Sequence, residues 1–138
     1  MKERFYLDTS IWLDFFEDRN EPNMSKSDWA RALIAKIISE GDVIVFSDNN
    51  IIELTQIGYS EFEIEELLGS LRKIIVRVEA TEKQIGISRD LGLKRGVPRR
   101  DALHAILARD HQSTLVTFDH DFKKLTDIIK PYRTNELI

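Results

Sequence analysis

Short apolar runs alternate with longer stretches of helical periodicity along the chain. Phe5-Tyr6-Leu7 reads as a brief strand ending at Asp8, and from 10 to 16 the apolar residues Ile11, Trp12, Phe15 and Phe16 recur at helical spacing. A polar stretch at 18–25, containing Asn20, Pro22 and Asn23, reads as a loop. Trp29, Leu33, Ala35, Ile37 and Ile38 predict a second helix, with Gly41 as its C-cap. Val43-Ile44-Val45-Phe46 is the continuous apolar run expected of a buried strand. Ser47-Asp48-Asn49-Asn50 follows as a run of N-cap residues opening a helix through Ile57. The pattern then predicts a helix over 60–71, a strand over 74–78 and a helix capped by Thr81 that runs towards Lys94 and stops at Gly96. Pro98 opens a helix through Asp110, 114–117 reads as a strand, 121–125 as a short helix and 128–132 as a terminal edge strand. Strands alternating with helices imply a parallel sheet flanked by helices on both faces, an α/β class.

Composition narrows the function. The chain has 138 residues, 42% of them apolar and 32% charged, so residues 1–138 are expected to form a single soluble domain. A net charge of −4 excludes a blanket basic surface, so any nucleic-acid contact must use a local patch. The absence of cysteine excludes disulfides, zinc–thiolate sites and thiol nucleophiles. No apolar stretch approaches a membrane span and the first twenty residues lack a signal-peptide core, so a cytoplasmic location without membrane contact is expected. There is no repeat, linker or low-complexity tract.

Acidic residues fall where sites form in open parallel sheets, at the carboxyl ends of strands. Asp8 directly follows the first strand, Glu53 lies in the first turns of the helix after the second, Asp101 follows Pro98 and Asp119 follows the strand over 114–117. Four converging carboxylates would repel one another unless divalent cations neutralised them, and hard oxygen ligands suit Mg²⁺ or Mn²⁺. Each acid also has a local role open to it. Asp8 and Asp119 could cap helices, Glu53 could close a capping box with Asn50, and Asp101 could answer a helix dipole.

The motifs Tyr6-Leu7-Asp8-Thr9-Ser10-Ile11, Ser47 followed six residues later by Glu53-Leu54, Gly96-Val97-Pro98 leading into Asp101-Ala102-Leu103-His104-Ala105, and Leu115-Val116-Thr117-Phe118-Asp119-His120-Asp121-Phe122 resemble those of the PIN-domain nucleases. Within that family they resemble the VapC-type toxins of bacterial and archaeal toxin–antitoxin pairs, and the likeness runs along the whole chain. The resemblance implies a Mg²⁺-dependent endoribonuclease, with Mn²⁺ as a substitute, that cleaves single-stranded or loop RNA by metal-activated water. Its products would carry a 5′-phosphate and a 3′-hydroxyl. It matches Asp8, Glu53 and Asp101 to the family's first three acids and Asp119, or alternatively Asp121, to the fourth. Asp8, Asp101 and Asp119 would hold metal, Glu53 would complete the site or orient water, and Thr9, Ser10 and Thr117 would orient the acids. An antitoxin partner and a homodimer are also implied.

Lys94, Arg95, Arg99 and Arg100 form the densest basic cluster, and Arg99 and Arg100 beside Asp101 are candidates for phosphate contact. His104, three residues after Asp101, could pair with it on a metal but sits on an otherwise apolar helix. His111 and His120 read as surface residues. Trp12, Phe15, Phe16 and Trp29 read as core, although Trp29, Leu33 and Ile37 could instead line a partner groove. Two readings compete with a nuclease: a receiver-type signalling domain, for which no lysine is convincingly placed, and a catalytically silent PIN-like module that binds RNA or protein. The choice of RNA over DNA rests on the resemblance alone.

Overall fold

Val43–Ser47 is buried along its whole length, as expected of a strand covered on both faces. In the computed structural model, which describes residues 2–138, it is β2 of a five-stranded sheet. The other strands are β1 (Arg4–Leu7), β3 (Ile75–Val78), β4 (Thr114–Val116) and β5 (Pro131–Tyr132). The order is β3-β2-β1-β4-β5 and every pairing is parallel, with Phe5 opposite Ile44 on one side and Thr114 on the other. The helices are α1 (Thr9–Phe16), α2 (Lys26–Ser39), α3 (Asp48–Ile57), α4 (Glu61–Leu68), α5 (Glu82–Arg95) and α6 (Arg99–Asp110).

The two-residue period of the strands divides the core. Phe5, Leu7, Ile44 and Phe46 join Ile11, Trp12, Leu33, Ile37, Leu54 and Ile64 on the face covered by α1 to α4. Tyr6, Val45 and Leu115 point the other way, onto Ala102, Ala105, Phe122 and Leu125. Leu33 and Ile37 are therefore core, not the wall of a partner groove. Among the described residues no helix is long and apolar enough to cross a membrane.

From β1 the chain moves outwards through β2 to β3, then returns to lay β4 against the opposite edge of β1. The carboxyl ends of β1 and β4 thus flank the switch point where ligands bind in open α/β sheets.

Three predicted elements differ in form. The helix expected over 60–71 ends at Leu68 and tightens into a 3₁₀ turn, Gly69–Ile74, where glycine lowers helix propensity. The short helix near 121–125 is a 3₁₀ turn, His120–Leu125. The edge strand expected over 128–132 contracts to Pro131–Tyr132, because the Ile128 and Ile129 amides donate to the Leu125 carbonyl at 2.9 and 3.1 Å.

The α5–α6 corner that presents Asp101 closes on Gly92. A Cβ there would lie 2.9 Å from the Val97 carbonyl oxygen and 3.3 Å from Arg99 Cα, both backbone atoms. Gly92→Ala should therefore destabilise the protein by about 1–3 kcal/mol in urea unfolding; unchanged stability would contradict this close approach.

Candidate functional site

β1 ends at Leu7 and α1 begins at Thr9, which leaves Asp8 at the strand's carboxyl end, 5% exposed. Its amide donates to the Val116 carbonyl at 3.0 Å, so β4 fixes its position. Its side chain makes no helix-cap bond. Instead Oδ2 accepts from Ser10 Oγ at 3.0 Å and from Thr117 Oγ1 at 2.8 Å, the latter reaching across the switch point. Oδ1 receives no hydrogen bond among the described residues.

Glu53 repeats the arrangement from α3. The capping box of that helix joins Ser47 to Asn50, so Glu53 has no capping role. Oε1 accepts from Thr9 Oγ1 at 2.7 Å and from His104 Nε2, while Oε2 takes no protein donor among the described residues. The side chain keeps 22% of its surface in solvent.

Behind these acids lies a buried polar network that the sequence patterns did not reveal. Asn50 Nδ2 donates to Thr9 Oγ1 at 3.0 Å and to the Leu7 carbonyl at 3.2 Å, which ties α3 to the end of β1. Tyr6 Oη lies 2.6 Å from both Ser47 Oγ and His104 Nδ1. The one available signal was the surplus of cap residues over 47–50, of which Ser47 alone caps α3. Asp48 accepts from the Ala80 amide at 3.0 Å, and Asn49 exchanges hydrogen bonds with Arg100.

Asp101, in the first turn of α6, is 8% exposed and accepts no side-chain hydrogen bond among the described residues. Burial, together with the charges of Asp8, Asp119 and Glu53, pushes its carboxyl up to about 7 despite the opposing effect of His104. Burial also raises Asp8, although His104, Thr117 and Ser10 oppose it. Burial alone would raise Glu53 as well, but the bond to His104, its charge and the Thr9 hydroxyl hold that carboxyl below its ordinary value. Asp119 is exposed and caps the 3₁₀ turn by accepting from the Asp121 amide at 2.9 Å, while its own amide donates to Thr117 Oγ1 at 3.0 Å. Ligand atoms of Asp8, Glu53 and His104 lie within 4.8 Å of one another, as do those of Asp101, Asp119 and Asp121. Both candidates for the fourth acid thus sit beside Asp101.

The PIN domain family matches residues 5–128, from β1 through the turn after β4. The chain belongs to the PIN domain family. PIN domains are typically nucleases. Solved structures share the fold along nearly the whole length. VapBC2 from Rickettsia felis bound to a DNA fragment from its promoter aligns at 17% identity and a TM-score of 0.68, covering 94% of this chain and 98% of that one. VapBC-1 from nontypeable Haemophilus influenzae aligns at 21% identity and a TM-score of 0.65, over 96% and 98%. FitAcB from Neisseria gonorrhoeae aligns at 18% and 0.63, over 96% and 99%. The search of curated proteins finds no match.

In this PIN domain the basic cluster is dispersed. Arg95 is committed to both carboxylate oxygens of Asp127 and to the Lys124 carbonyl, and Lys94 is exposed. Arg100 is close enough to lower the Glu53 carboxyl, and Arg99 lines a neighbouring groove with it. His120 is exposed between the two outer acids, whereas His111 lies at the opposite end of the sheet with Arg4 and Thr114. Both His104 nitrogens are engaged by Glu53 and Tyr6, and the ring is fully buried. Burial would lower its pKa, but the Glu53 bond and the surrounding carboxylates raise it. Trp12 is core, and Trp29 stacks on Phe118 at 6.1 Å between ring centres.

The donor set of the PIN domain suits a hard divalent cation. Asp8 and Glu53 each present one oxygen anchored by protein donors and one without, and burial, with the unneutralised charge of the neighbouring acids, raises Asp101.

Proposed function

We propose that residues 1–138 act as a Mg²⁺- or Mn²⁺-dependent endoribonuclease, the cytoplasmic toxin of a toxin–antitoxin pair. The observation that carries this reading is the half-anchored state of Asp8 and Glu53 beside an Asp101 carboxyl pushed up to about 7. A purely structural cluster gains nothing from acids that face one another without cations. The names of the structural neighbours, VapBC assemblies and a toxin–antitoxin complex from Klebsiella pneumoniae, support the antitoxin partner. The VapC likeness supports a homodimer.

Asp8, Asp101 and Asp119 would hold the metal, with Asp121 as the alternative fourth acid. When bound, a divalent cation supplies neutralisation of the acids, activation of water and stabilisation of the leaving oxygen in phosphodiester hydrolysis. Glu53, kept ionised, would orient the attacking water through its remaining oxygen. Ser10 and Thr117 hold Asp8, and Thr9 holds Glu53, so that neither acid must reorganise during the reaction. Arg99 and Arg100 would bring an RNA phosphate to an otherwise anionic cleft.

End-labelled single-stranded RNA and DNA of mixed sequence, incubated with Mg²⁺, Mn²⁺ or EDTA, test the reading. RNA cuts that require metal are expected, with DNA left intact. RNA bound but never cut under any condition would favour the silent binding module.

A further inference from the structure

Two hydrogen-bonded paths leave the phenol of Tyr6 and end on the same atom, Glu53 Oε1. One passes through Ser47, Asn50 and Thr9: Tyr6 Oη is 2.6 Å from Ser47 Oγ, Ser47 Oγ is 3.1 Å from Asn50 Oδ1, Asn50 Nδ2 is 3.0 Å from Thr9 Oγ1 and Thr9 Oγ1 is 2.7 Å from Oε1. The other passes through His104, whose Nδ1 lies 2.6 Å from the phenol and whose Nε2 meets Oε1. Tyr6, Ser47, Asn50 and His104 are all fully buried, so the ring meets solvent on its Glu53 side. Carboxylate oxygens only accept, so Nε2 carries the hydrogen that points at Glu53. Nδ1 lies 2.6 Å from Tyr6 Oη and 3.2 Å from Asn49 Nδ2, both of which can donate to it.

We infer that His104 is a positioning residue for Glu53: its Nε2–H, together with the Thr9 hydroxyl, pins Oε1 and leaves Oε2 as the oxygen presented to the cleft. The inference rests on the proposed metal-dependent nuclease. It differs from a ligand role for His104, because both ring nitrogens already have protein partners. It also differs from a packing role, because what matters is a donor at the Nε2 position, not the volume of the ring.

Side-chain amides separate the two nitrogens. Glutamine can place an N–H near the Nε2 position, whereas asparagine places its amide near Nδ1, keeping the Tyr6 contact and losing the one to Glu53. The full chain and its His104→Gln and His104→Asn variants are compared by Mn²⁺ binding in calorimetry, with the metal alone, and by metal-dependent RNA cleavage, after thermal unfolding shows that all are folded. His104→Gln is expected to stay within about threefold of the parent in both readouts. His104→Asn is expected to lose about 10- to 100-fold in cleavage, the usual cost of removing a group that orients an active-site side chain, while Mn²⁺ binding stays close to the parent's because Asp8, Asp101 and Asp119 hold the metal. Equal losses in both variants would assign the ring to packing and overturn the inference, and so would an unimpaired His104→Asn. A parent chain that neither binds Mn²⁺ nor cleaves RNA would instead overturn the metal-nuclease reading, and the inference with it.

Discussion

Asp8→Asn is expected to lower metal-dependent RNA cleavage by about 10³-fold or more while leaving the fold intact, since loss of transition-state charge stabilisation worth several kcal/mol has that effect. Asp8 Oδ2 accepts from both Ser10 and Thr117. In the variant the amide oxygen takes that place, because it lets both hydroxyls go on donating while Thr117 Oγ1 keeps accepting from the Asp119 amide. The NH₂ group then occupies the position of Oδ1 and aims two hydrogens where an anionic oxygen stood. The backbone bond to Val116 is unaffected, so packing at the switch point persists. Cleavage assays with unfolding controls check this. Cleavage within tenfold of the parent would mean that Asp8 is not at the reacting centre.

Asp101→Asn should do something less common for a site substitution: stabilise the metal-free protein, by about 1–3 kcal/mol above pH 8. In the folded chain its carboxyl sits at about 7 against an ordinary value of 3.8. The folded state therefore binds more protons than the unfolded one between those values, and stability falls as pH rises through that window. The full penalty is in place above pH 7 and absent below pH 4. The gap between those two values corresponds to at most about 4 kcal/mol, and sharing of the repulsion among several carboxylates reduces it. The melting temperature should rise by roughly 3–10 °C at pH 8, with the advantage gone near pH 4. Mn²⁺ should raise the parent's melting temperature and leave the variant's nearly unchanged. Because metal must displace the Asp101 proton, the parent's affinity should climb with pH up to about 7 and then level off. Thermal melts across that pH range, with EDTA and with Mn²⁺, decide the matter. A variant no more stable than the parent at pH 8 would show that the acids do not burden the fold.

The α/β class was legible because the strands are short continuous apolar runs and glycine, proline and cap residues punctuate the helices. Asp8 and Asp101 stood out because one ends a strand and the other follows a proline that opens a helix. Tyr6 and His104 did not. A tyrosine in a strand and a histidine in an apolar helix look like ordinary core residues, and a bond between positions 98 residues apart has no local signature. Asn50 was hidden among four consecutive cap residues, and Glu53 was open to a capping role because the chain does not say which of them caps. The basic cluster misled for the opposite reason. Arg95 ends α5 and turns to Asp127, so neighbours in sequence are not neighbours in space. The strand over 128–132 was overextended because apolar Ile128 and Ile129 fit a strand pattern while their amides close a turn.

The strand order also sets a timetable for synthesis. β1, the first strand made, lies at the centre of the sheet, and its second neighbour, β4, is encoded only at Thr114–Val116. Until then the nascent chain exposes one edge of β1, Asp8 lacks the Thr117 hydroxyl that holds it, and Asp119 does not exist. The cluster of acids is therefore completed only after Thr114–Val116 and the turn that follows have been made, and a chain ending before β4 cannot assemble it.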